Sequence, residues 1–322
     1  SNYGVYLHSG TSVSSTATGV SAGTITINGT GGDASDHNYG VFLKDSTTDV
    51  TSVDGEILIV GQGGGPGESN YGVFLDSIEA ISSTGTGTSA ATISVNGTGG
   101  MGVFASLTDP NHGVYVLGTT TALISIDGDV SITGQGGNGA PDGGGDGVVI
   151  GNVSSISSTG LGALAGDITI GGTGGGGFSA TSGTRILGST TNVTSVAGNI
   201  SITGMGGNGI SSGGIAGTEI KNDATVQVTS GTLEVIGTAT DDDSIGVRLS
   251  DSTGGRLISI GSGAITVSAT GTGTQPDFVA GADSVVGGSS ATGPVTFNAD
   301  SIIFSGTLNI QSGGDLTIQP RT

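Results

Sequence analysis

The residues that could do acid–base chemistry are few and scattered: His8, His37 and His112, Arg185, and the acidic run Asp241, Asp242 and Asp243. A cluster of carboxylates beside a histidine or an arginine could cleave a polysaccharide by general acid–base catalysis. The acidic run lies in a segment rich in Gly, Ser and Thr, where solvated acids are expected, and no cleft of three converging carboxylates is visible. With no cysteine, the chain has no thiolate nucleophile and no Cys-ligated metal. We therefore predict a protein that is not an enzyme.

Acidic residues close to glycine-rich turns could instead hold calcium, which prefers carboxylate and carbonyl oxygens. The tandem signature Gly-Gly-x-Gly-x-Asp of repeat-type calcium sites is absent. The local acidic clusters, and hence the candidates for one structural calcium ion, are Asp142, Asp146, Asp241, Asp242 and Asp243. No other cofactor is expected.

A repeated sequence unit determines the positions of these candidate residues in the fold. The motif Asn-Tyr-Gly-Val, in full or looser form, recurs at 2–5, 38–41, 70–73, 112–116 and 146–150. Each copy is followed by two further apolar segments and then by a cluster of glycines, which reads as a turn needing positive φ or close backbone approach. Two kinds of unit alternate, one with Ser-Ser-Thr-Gly and one with a tight turn. The repeat therefore predicts three strands per unit and a period of two units.

Composition favours β structure throughout. Glycine supplies 68 of the 322 residues, only 4% are aromatic, and six are proline, without the three-residue period of collagen. The third segment of each unit carries paired apolar residues at alternate positions: Ile25 and Ile27, Ile57 and Ile59, Ile93 and Val95, Val130 and Ile132, Ile168 and Ile170, Ile200 and Ile202. One unit cannot bury such a column alone, whereas stacked units share a core.

The predicted fold is an all-β, right-handed parallel β-helix of about nine to ten coils with three strands each, the hand following from the crossover rule. Residues 1–275 form long coils of alternating type, and residues 276–322 continue the solenoid with shorter coils. A β-sandwich or a propeller would need hairpins, and the Asn-Gly pairs are followed by more glycine rather than by a return strand.

The sixth position of the motif defines one column along the rod: Tyr6, Phe42, Phe74, Tyr115, Val149, Arg185, Glu219 and Arg248. Arg and Glu require solvent there, so we expect the whole column to face outward. Tyr6, Phe42, Phe74 and Tyr115 would form an exposed aromatic stripe, which either stiffens the rod or contacts sugars or another protein. The later members would form surface ion pairs. His112 is assigned to a polar ladder with Asn2, Asn38 and Asn70.

The net charge of −20, with only six Lys plus Arg, argues against binding to nucleic acid or anionic membranes. No run of about 18 apolar residues could span a bilayer as a helix. Because Asn2 already lies inside a repeat, we expect the chain to be a segment of a longer polypeptide. Unpaired strand edges would favour self-association, end to end or laterally, and salt would promote it by screening the charge.

Four features of the sequence resemble filamentous haemagglutinin-like large exoproteins. They are the Asn-Tyr-Gly-Val strands, the Ser-Ser-Thr-Gly turns at 82–85 and 157–160, the Thr-Ile-Thr-Ile strand at 24–27, and the final Gly-Asp-Leu-Thr-Ile-Gln-Pro-Arg-Thr at 314–322. The resemblance covers the whole chain. It implies a right-handed parallel β-helix, export across an outer membrane by a dedicated pore, and a role in adhesion, aggregation or matrix. The Asn-Pro-Asn-Gly secretion motif of the family is absent from the chain.

The predicted function is that of a non-enzymatic extracellular rod, secreted or on the bacterial cell surface, that mediates adhesion or assembly. Its partners would be other copies of itself, a carbohydrate, or the surface of a host or neighbouring cell. Two alternatives remain open: a polysaccharide-binding or polysaccharide-cleaving β-helix protein, and a subunit of an ordered extracellular filament.

Overall fold

The computed structural model describes residues 1–102, 110–139, 144–153, 155–177, 181–208, 216–240, 244–249 and 253–321. The described residues form three parallel sheets of ten strands each and contain no helix. Each of the first 27 strands pairs with the strand three places further along the chain, so three consecutive strands make one coil and the coils stack. The predicted all-β parallel solenoid with three strands per coil is confirmed.

Sheet A holds the first strand of each coil: β1 Val5–Leu7, β4 Val41–Lys44, β7 Val73–Asp76, β10 Val114–Leu117, β13 Val148–Gly151, β16 Thr184–Leu187, β19 Ala216–Lys221, β22 Ile245–Arg248, β25 Phe278–Ala280 and β28 Ile302–Phe304. Sheet B holds the second: β2 Ser12–Ser15, β5 Asp49–Ser52, β8 Ala80–Ser83, β11 Ala122–Ser125, β14 Ser155–Ser158, β17 Asn192–Ser195, β20 Thr225–Val228, β23 Arg256–Ser259, β26 Val285–Gly287 and β29 Asn309–Gln311. Sheet C holds the third: β3 Ile25–Thr30, β6 Ile57–Gln62, β9 Ile93–Thr98, β12 Val130–Gln135, β15 Ile168–Thr173, β18 Ile200–Met205, β21 Leu233–Thr238, β24 Ile265–Thr270, β27 Val295–Asn298 and β30 Leu316–Gln319.

One continuous apolar core runs inside the three sheets. Sheet C contributes the column pairs expected from sequence, such as Ile57 with Ile59 and Ile93 with Val95, and from the second coil onward these pairs are fully buried. Only Ile25, in the first coil, is partly exposed. Alternate residues of a strand point to opposite faces, so each strand donates two or three side chains to this core. Burying each of these side chains contributes about 1.5–3 kcal/mol to the stability. The prediction that the paired columns point inward is confirmed.

Glycine columns bring the end of sheet C against sheet A. A Cβ on Gly61 would overlap the carbonyl oxygen of Gly72, and a Cβ on Gly40 would overlap the backbone nitrogen of Gln62. Neither Gly40 nor Gly61 has a positive φ. At these positions the requirement is close backbone approach, and any side chain would push the two sheets apart.

Coil length varies along the rod while the strand pairing does not. Equivalent residues are separated by 32 positions between Asn38 and Asn70, by 41 between Asn70 and Asn111, and by 24 between Asp277 and Ser301. Three sheets thus continue unbroken through residue 276 into shorter coils.

The alternation of long and tight turns also has a structural basis. The Asp54 carboxylate, in a tight turn, accepts a hydrogen bond from the Gly19 N–H in the long turn of the preceding coil. Asp127 accepts the N–H of Gly87 in the same way, at 2.7 Å. In these two cases a tight turn supports the long turn of the preceding coil. The alternation ends in the later coils, where the turns from β17 to β18, from β20 to β21 and from β23 to β24 are all short.

Candidate functional site

The aromatic column on the outer face of sheet A lies in the register that the sequence predicts. Tyr6 pairs with Phe42, Phe42 with Phe74, and Phe74 with Tyr115. The rings point away from the solenoid core, yet Phe42 is only 6% exposed and Phe74 only 9%. Tyr6, at 38%, is the most exposed ring of the column. The prediction of an exposed aromatic stripe is therefore wrong for its central members.

A second aromatic column covers the first. Tyr39 stacks on Tyr71 with ring centroids 5.1 Å apart, and Phe42 stacks on Phe74 at 4.9 Å. Tyr39 meets Phe42 edge to face at 5.1 Å, and Tyr71 meets Phe74 in the same way. Lys44 lies over the Phe42 ring at 5.9 Å. Each buried ring is enclosed by neighbours above, below and beside it, so the outward face of sheet A carries a small second core. We call this set the aromatic layer; its members are Tyr39, Phe42, Tyr71 and Phe74, with Tyr115 and Leu117 packed against it.

The polar ladder beside the aromatic layer consists of asparagines, and His112 is not one of them. The amide oxygen of Asn70 accepts hydrogen bonds from the backbone N–H and the side-chain amide of Asn38. The oxygen of Asn111 accepts the Asn70 N–H at 2.7 Å. His112 instead stacks on Tyr71, with ring centroids 5.5 Å apart. The assignment of His112 to the asparagine column is thus wrong by one residue; Asn111 occupies that place.

His112 begins a buried chain of polar contacts that continues the aromatic layer. Its Nδ1 accepts the backbone N–H of Asp146 at 3.1 Å, so the ring proton lies on Nε2. Burial lowers the pKa of His112 to about 4, against the opposing attraction of Asp146. The imidazole is therefore neutral at physiological pH and serves as a packed ring rather than as a proton donor.

Asp146 is fully engaged within the protein. Its Oδ1 accepts the Ser182 N–H at 2.7 Å, and its Oδ2 accepts a hydrogen bond from Arg185 Nη1 at 3.0 Å. The nearby Asp146 carboxylate raises the pKa of Arg185 above its ordinary value. Because Asp146 is buried and neutralised by Arg185, it does not suit the calcium site expected from sequence. Asp142 and Asp241 to Asp243, the other calcium candidates, lie outside the described residues.

Glu219 is the centre of the charged part of the strip. It is 3% exposed. Its carboxylate oxygens lie 3.0 Å from Arg185 Nε, 3.1 Å from Lys221 Nζ and 3.6 Å from Arg248 Nη1. The predicted contacts of Glu219 with Arg185 and Arg248 are confirmed, whereas the expectation that Glu219 requires solvent is wrong. Three cations around one carboxylate replace its lost hydration.

Val149, between Tyr115 and Arg185 in the outward column, is only 4% exposed, so the expected outward exposure is wrong there too. Lys221 was missed from sequence. It stands two positions after Glu219 on β19, and side chains two apart on a strand share a face, which is the signal that could have found it.

We call the sequence of contacts from His112 through Asp146, Arg185 and Glu219 to Lys221 and Arg248 the ionic layer. Its titratable groups are partners of one another. Within the described ranges, no three His, Asp or Glu side chains are grouped so that they could hold a metal ion. Nor does that part of the chain include a helix long and apolar enough to cross a membrane.

Sheet C carries an open groove on its outer face. The groove has a volume of about 630 Å³ and runs across seven strands, from β3 to β21. Its lining side chains are amides, hydroxyls and a few apolar groups, and they come from the outward positions of the strands: Asn28, Val60, Gln62, Asn96, Thr98, Thr133, Gln135, Thr173, Thr203, Met205, Ile236 and Thr238. Glycines such as Gly97 and Gly134 lie between the two rows of side chains. We refer to it as the axial groove.

A second concavity of about 830 Å³ adjoins the axial groove along the glycine-rich segments that follow sheet C. Gln62 and Thr30 mark the border between sheet C and this second concavity, and Pro66 and Met101 contribute apolar surface. The axial groove was not anticipated from sequence. The available signal was the alternation of Thr and Gln at the last outward position of the third strands.

The fold and these surfaces define the class of the protein: a parallel β-solenoid with a buried aromatic and ionic layer outside sheet A and a polar groove along sheet C. No family model matches the chain, and no curated protein or solved structure matches it either.

Proposed function

We propose that the chain is a non-enzymatic structural rod that serves adhesion or assembly outside the cell, as a segment of a secreted or bacterial surface protein. The observation that carries the proposal is the state of the titratable groups on sheet A. His112, Asp146, Arg185 and Glu219 are the residues best suited to acid–base chemistry, and each is used within the ionic layer. A catalytic group needs a free face toward its substrate. His112, Asp146 and Glu219 are buried, and the half-buried Arg185 is held by both carboxylates, which supports a structural role for the four groups.

The distribution of packed residues along the solenoid also agrees with a role as a rod. One apolar core extends from Ile27 to Ala299, and the aromatic and ionic layers brace the outside of sheet A along most of that length. Ten stacked strands give a rod on the order of 45 Å long. Such a solenoid holds a surface rigidly at a distance from its point of attachment, which is the mechanical requirement of an adhesin or a scaffold.

The test has two arms. In the first, beads carrying the purified chain are mixed with bacterial cells, and attachment is counted against beads that carry an unrelated protein of similar negative charge. Excess attachment supports the proposal, and equal attachment by both kinds of bead contradicts it. In the second, the chain is incubated with acidic and neutral polysaccharides, with and without calcium, and reducing ends and unsaturated products are measured. Sustained turnover that Arg185→Gln abolishes, in a variant with an unchanged circular dichroism spectrum, would overturn the non-enzymatic role.

The axial groove favours one further candidate, the binding of a polysaccharide without cleavage. The groove offers hydrogen-bonding side chains over several coils but no carboxylate pair at its lining. A subunit of an extracellular filament is the remaining possibility, and negative-stain imaging distinguishes single rods of fixed length from long filaments.

A further inference from the structure

We propose that the axial groove binds a linear, uncharged, ribbon-like polysaccharide laid parallel to the axis of the solenoid. The inference rests on the adhesive role proposed above and names the chemical class of its ligand. Four features of the groove carry it: the absence of charge, the availability of hydrogen-bonding groups, the spacing of those groups, and the open floor.

The lining of the axial groove contains no Lys, Arg, Asp or Glu. That is a local property, because the chain as a whole has 26 acidic and six basic residues. Nucleic acids and acidic polysaccharides need cationic partners, and metal ions need carboxylates, so the groove suits none of them. Side-chain amides and hydroxyls, in contrast, both donate and accept hydrogen bonds, as the hydroxyl groups of a neutral sugar require.

Several lining groups are free to bond a ligand. Asn28, Thr98 and Thr173 make no side-chain hydrogen bond within the described part of the chain. The amides of Gln62 and Gln135 reach only the carbonyl oxygens of Gly63 and Gly136, at 3.4 and 3.3 Å. These are long contacts that a better acceptor would replace at little cost.

The spacing of these groups matches a polymer. Thr98, Gln135 and Thr173 are paired in register on neighbouring strands, so successive groups lie about 4.8 Å apart along the axis. That distance is close to the length of one pyranose unit in an extended chain. Gln62 and Gln135 lie two coils apart, a distance close to the length of a disaccharide, and Met205 holds the equivalent position two coils after Gln135. In a ribbon-like chain alternate sugars are turned over, so Gln62 and Gln135 would meet equivalent hydroxyls.

The floor of the groove lets the ligand approach the backbone. Gly97, Gly134 and Gly172 stand in register between the two rows of side chains. A Cβ at each of these positions would point inward, toward sheet A, so the outer face between the two rows is bare backbone on which a flat sugar ring can lie. Val60, Met205 and Ile236 add apolar surface for the C–H faces of the rings. Seven strands span about 29 Å, enough for six to seven sugars.

Two other occupants fit less well. An extended peptide binds a sheet by pairing with its edge, and six of the seven strands beneath the groove, β6 to β21, already bond to neighbours on both sides. A peptide paired with the one edge strand, β3, would lie across the axis rather than along the groove. A second copy of this chain would have to bury rows of amides and hydroxyls without the apolar centre that stable interfaces carry.

The experiment measures binding of neutral oligosaccharides to the whole purified chain by isothermal titration calorimetry. Cello-oligosaccharides, which form extended ribbons, are compared with malto-oligosaccharides of the same length, which coil, and with oligogalacturonates, which are acidic. We expect binding only to the cello series, with affinity that rises with length up to about seven sugars. Equal binding to the malto series, or tighter binding to the acidic series, would overturn the proposal, and so would no binding to any of the three.

A double variant and a matched control test whether the oligosaccharide binds in the axial groove. Gln62→Glu combined with Gln135→Glu keeps the shape of the groove but removes two amide donors, and we expect a loss of affinity of about tenfold or more. Gln227→Glu, the same change on β20 of sheet B, is the matched control and should bind like the wild type. Circular dichroism and the unfolding midpoint verify that all variants are folded. If the double variant binds like the wild type, the ligand does not occupy the axial groove.

Failure of this inference is distinguishable from failure of the proposed function. If beads attach to cells but no oligosaccharide binds, the groove proposal is overturned and the adhesive role stands. If oligosaccharides bind as expected but beads do not attach, the groove proposal stands and the adhesive role is overturned.

Discussion

The aromatic layer should behave as a second hydrophobic core, and Phe74→Ala tests this. The Phe74 ring is stacked between Phe42 and Tyr115, at 4.9 and 5.2 Å, and is bordered edge on by Tyr39 and Tyr71 at 5.4 and 5.3 Å. Truncating a buried Phe to Ala costs about 3–5 kcal/mol. Because the layer lies near solvent, water can fill part of the space that is left, so we expect a value at the lower end, about 3 kcal/mol.

Two comparison variants bracket that value. Tyr6→Ala truncates a ring of the same column that is 38% exposed, and should cost about 1 kcal/mol. Ile93→Asp places a carboxylate in the solenoid core, where Ile93 is fully buried, and should cost several kcal/mol more than either ring deletion.

The measurement is urea-induced unfolding, followed by far-UV circular dichroism at several protein concentrations, with the midpoint and the slope compared between variants. A solenoid can unfold in parts, so an unchanged slope is required before midpoints are converted into free energies. If Phe74→Ala costs no more than Tyr6→Ala, the aromatic layer is a surface stripe and the reasoning is refuted.

Three further predictions follow from the ionic layer and the charge. Glu219→Gln removes the charge that three cations share and should lower the free energy of unfolding in urea by about 2–4 kcal/mol. Glu234→Gln, at an exposed position of sheet C, is the control and should change the stability little. Equal effects of the two substitutions would contradict a buried network. The folded-state pKa of His112 is lowered to about 4 from 6.5, so the unfolded chain binds more protons between those values and stability falls as the pH drops from about 6.5 to 4. Between pH 7 and pH 5 we expect a loss of about 2 kcal/mol in the wild type that His112→Gln lacks, and identical pH profiles of the two proteins would count against a buried neutral imidazole. Finally, salt should promote association of the purified chain by screening its net charge of −20, and light scattering that stays monomeric from low to high salt would rule this out.

Much of the fold could be read from the sequence because its determinants are local and repeated. Isoleucine and valine at alternate positions define an inward face in any strand. Copies of the Asn-Tyr-Gly-Val motif align equivalent residues of successive coils, which sets the register of sheet A. The outward direction of Tyr6, Phe42 and Phe74 relative to the core follows from the same alternation, and it is correct.

The error at His112 was one of alignment and could have been avoided. The fourth coil reads Asn111-His112-Gly113-Val114, which is the motif with His in place of Tyr. A long insertion before this coil makes the spacing from Asn70 to Asn111 41 residues, compared with 32 from Asn38 to Asn70, so a constant repeat length does not align the two asparagines. Once Val114 is placed opposite Val73, His112 falls on Tyr71 and continues the aromatic stack.

What the sequence by itself determined is the stack: three strands per coil, an apolar column inside, and one residue type above another along the axis. What only the tertiary structure decided is which outward side chains are exposed. Phe42 is buried because Tyr39, from a neighbouring column, packs beside it. Glu219 is buried because Lys221 and Arg248 lie against its carboxylate. The axial groove likewise arises from seven strands far apart in the chain. The alternation along a strand separates inside from outside, but exposure is a property of the assembled surface, since it depends on every neighbour that the stack places within contact distance.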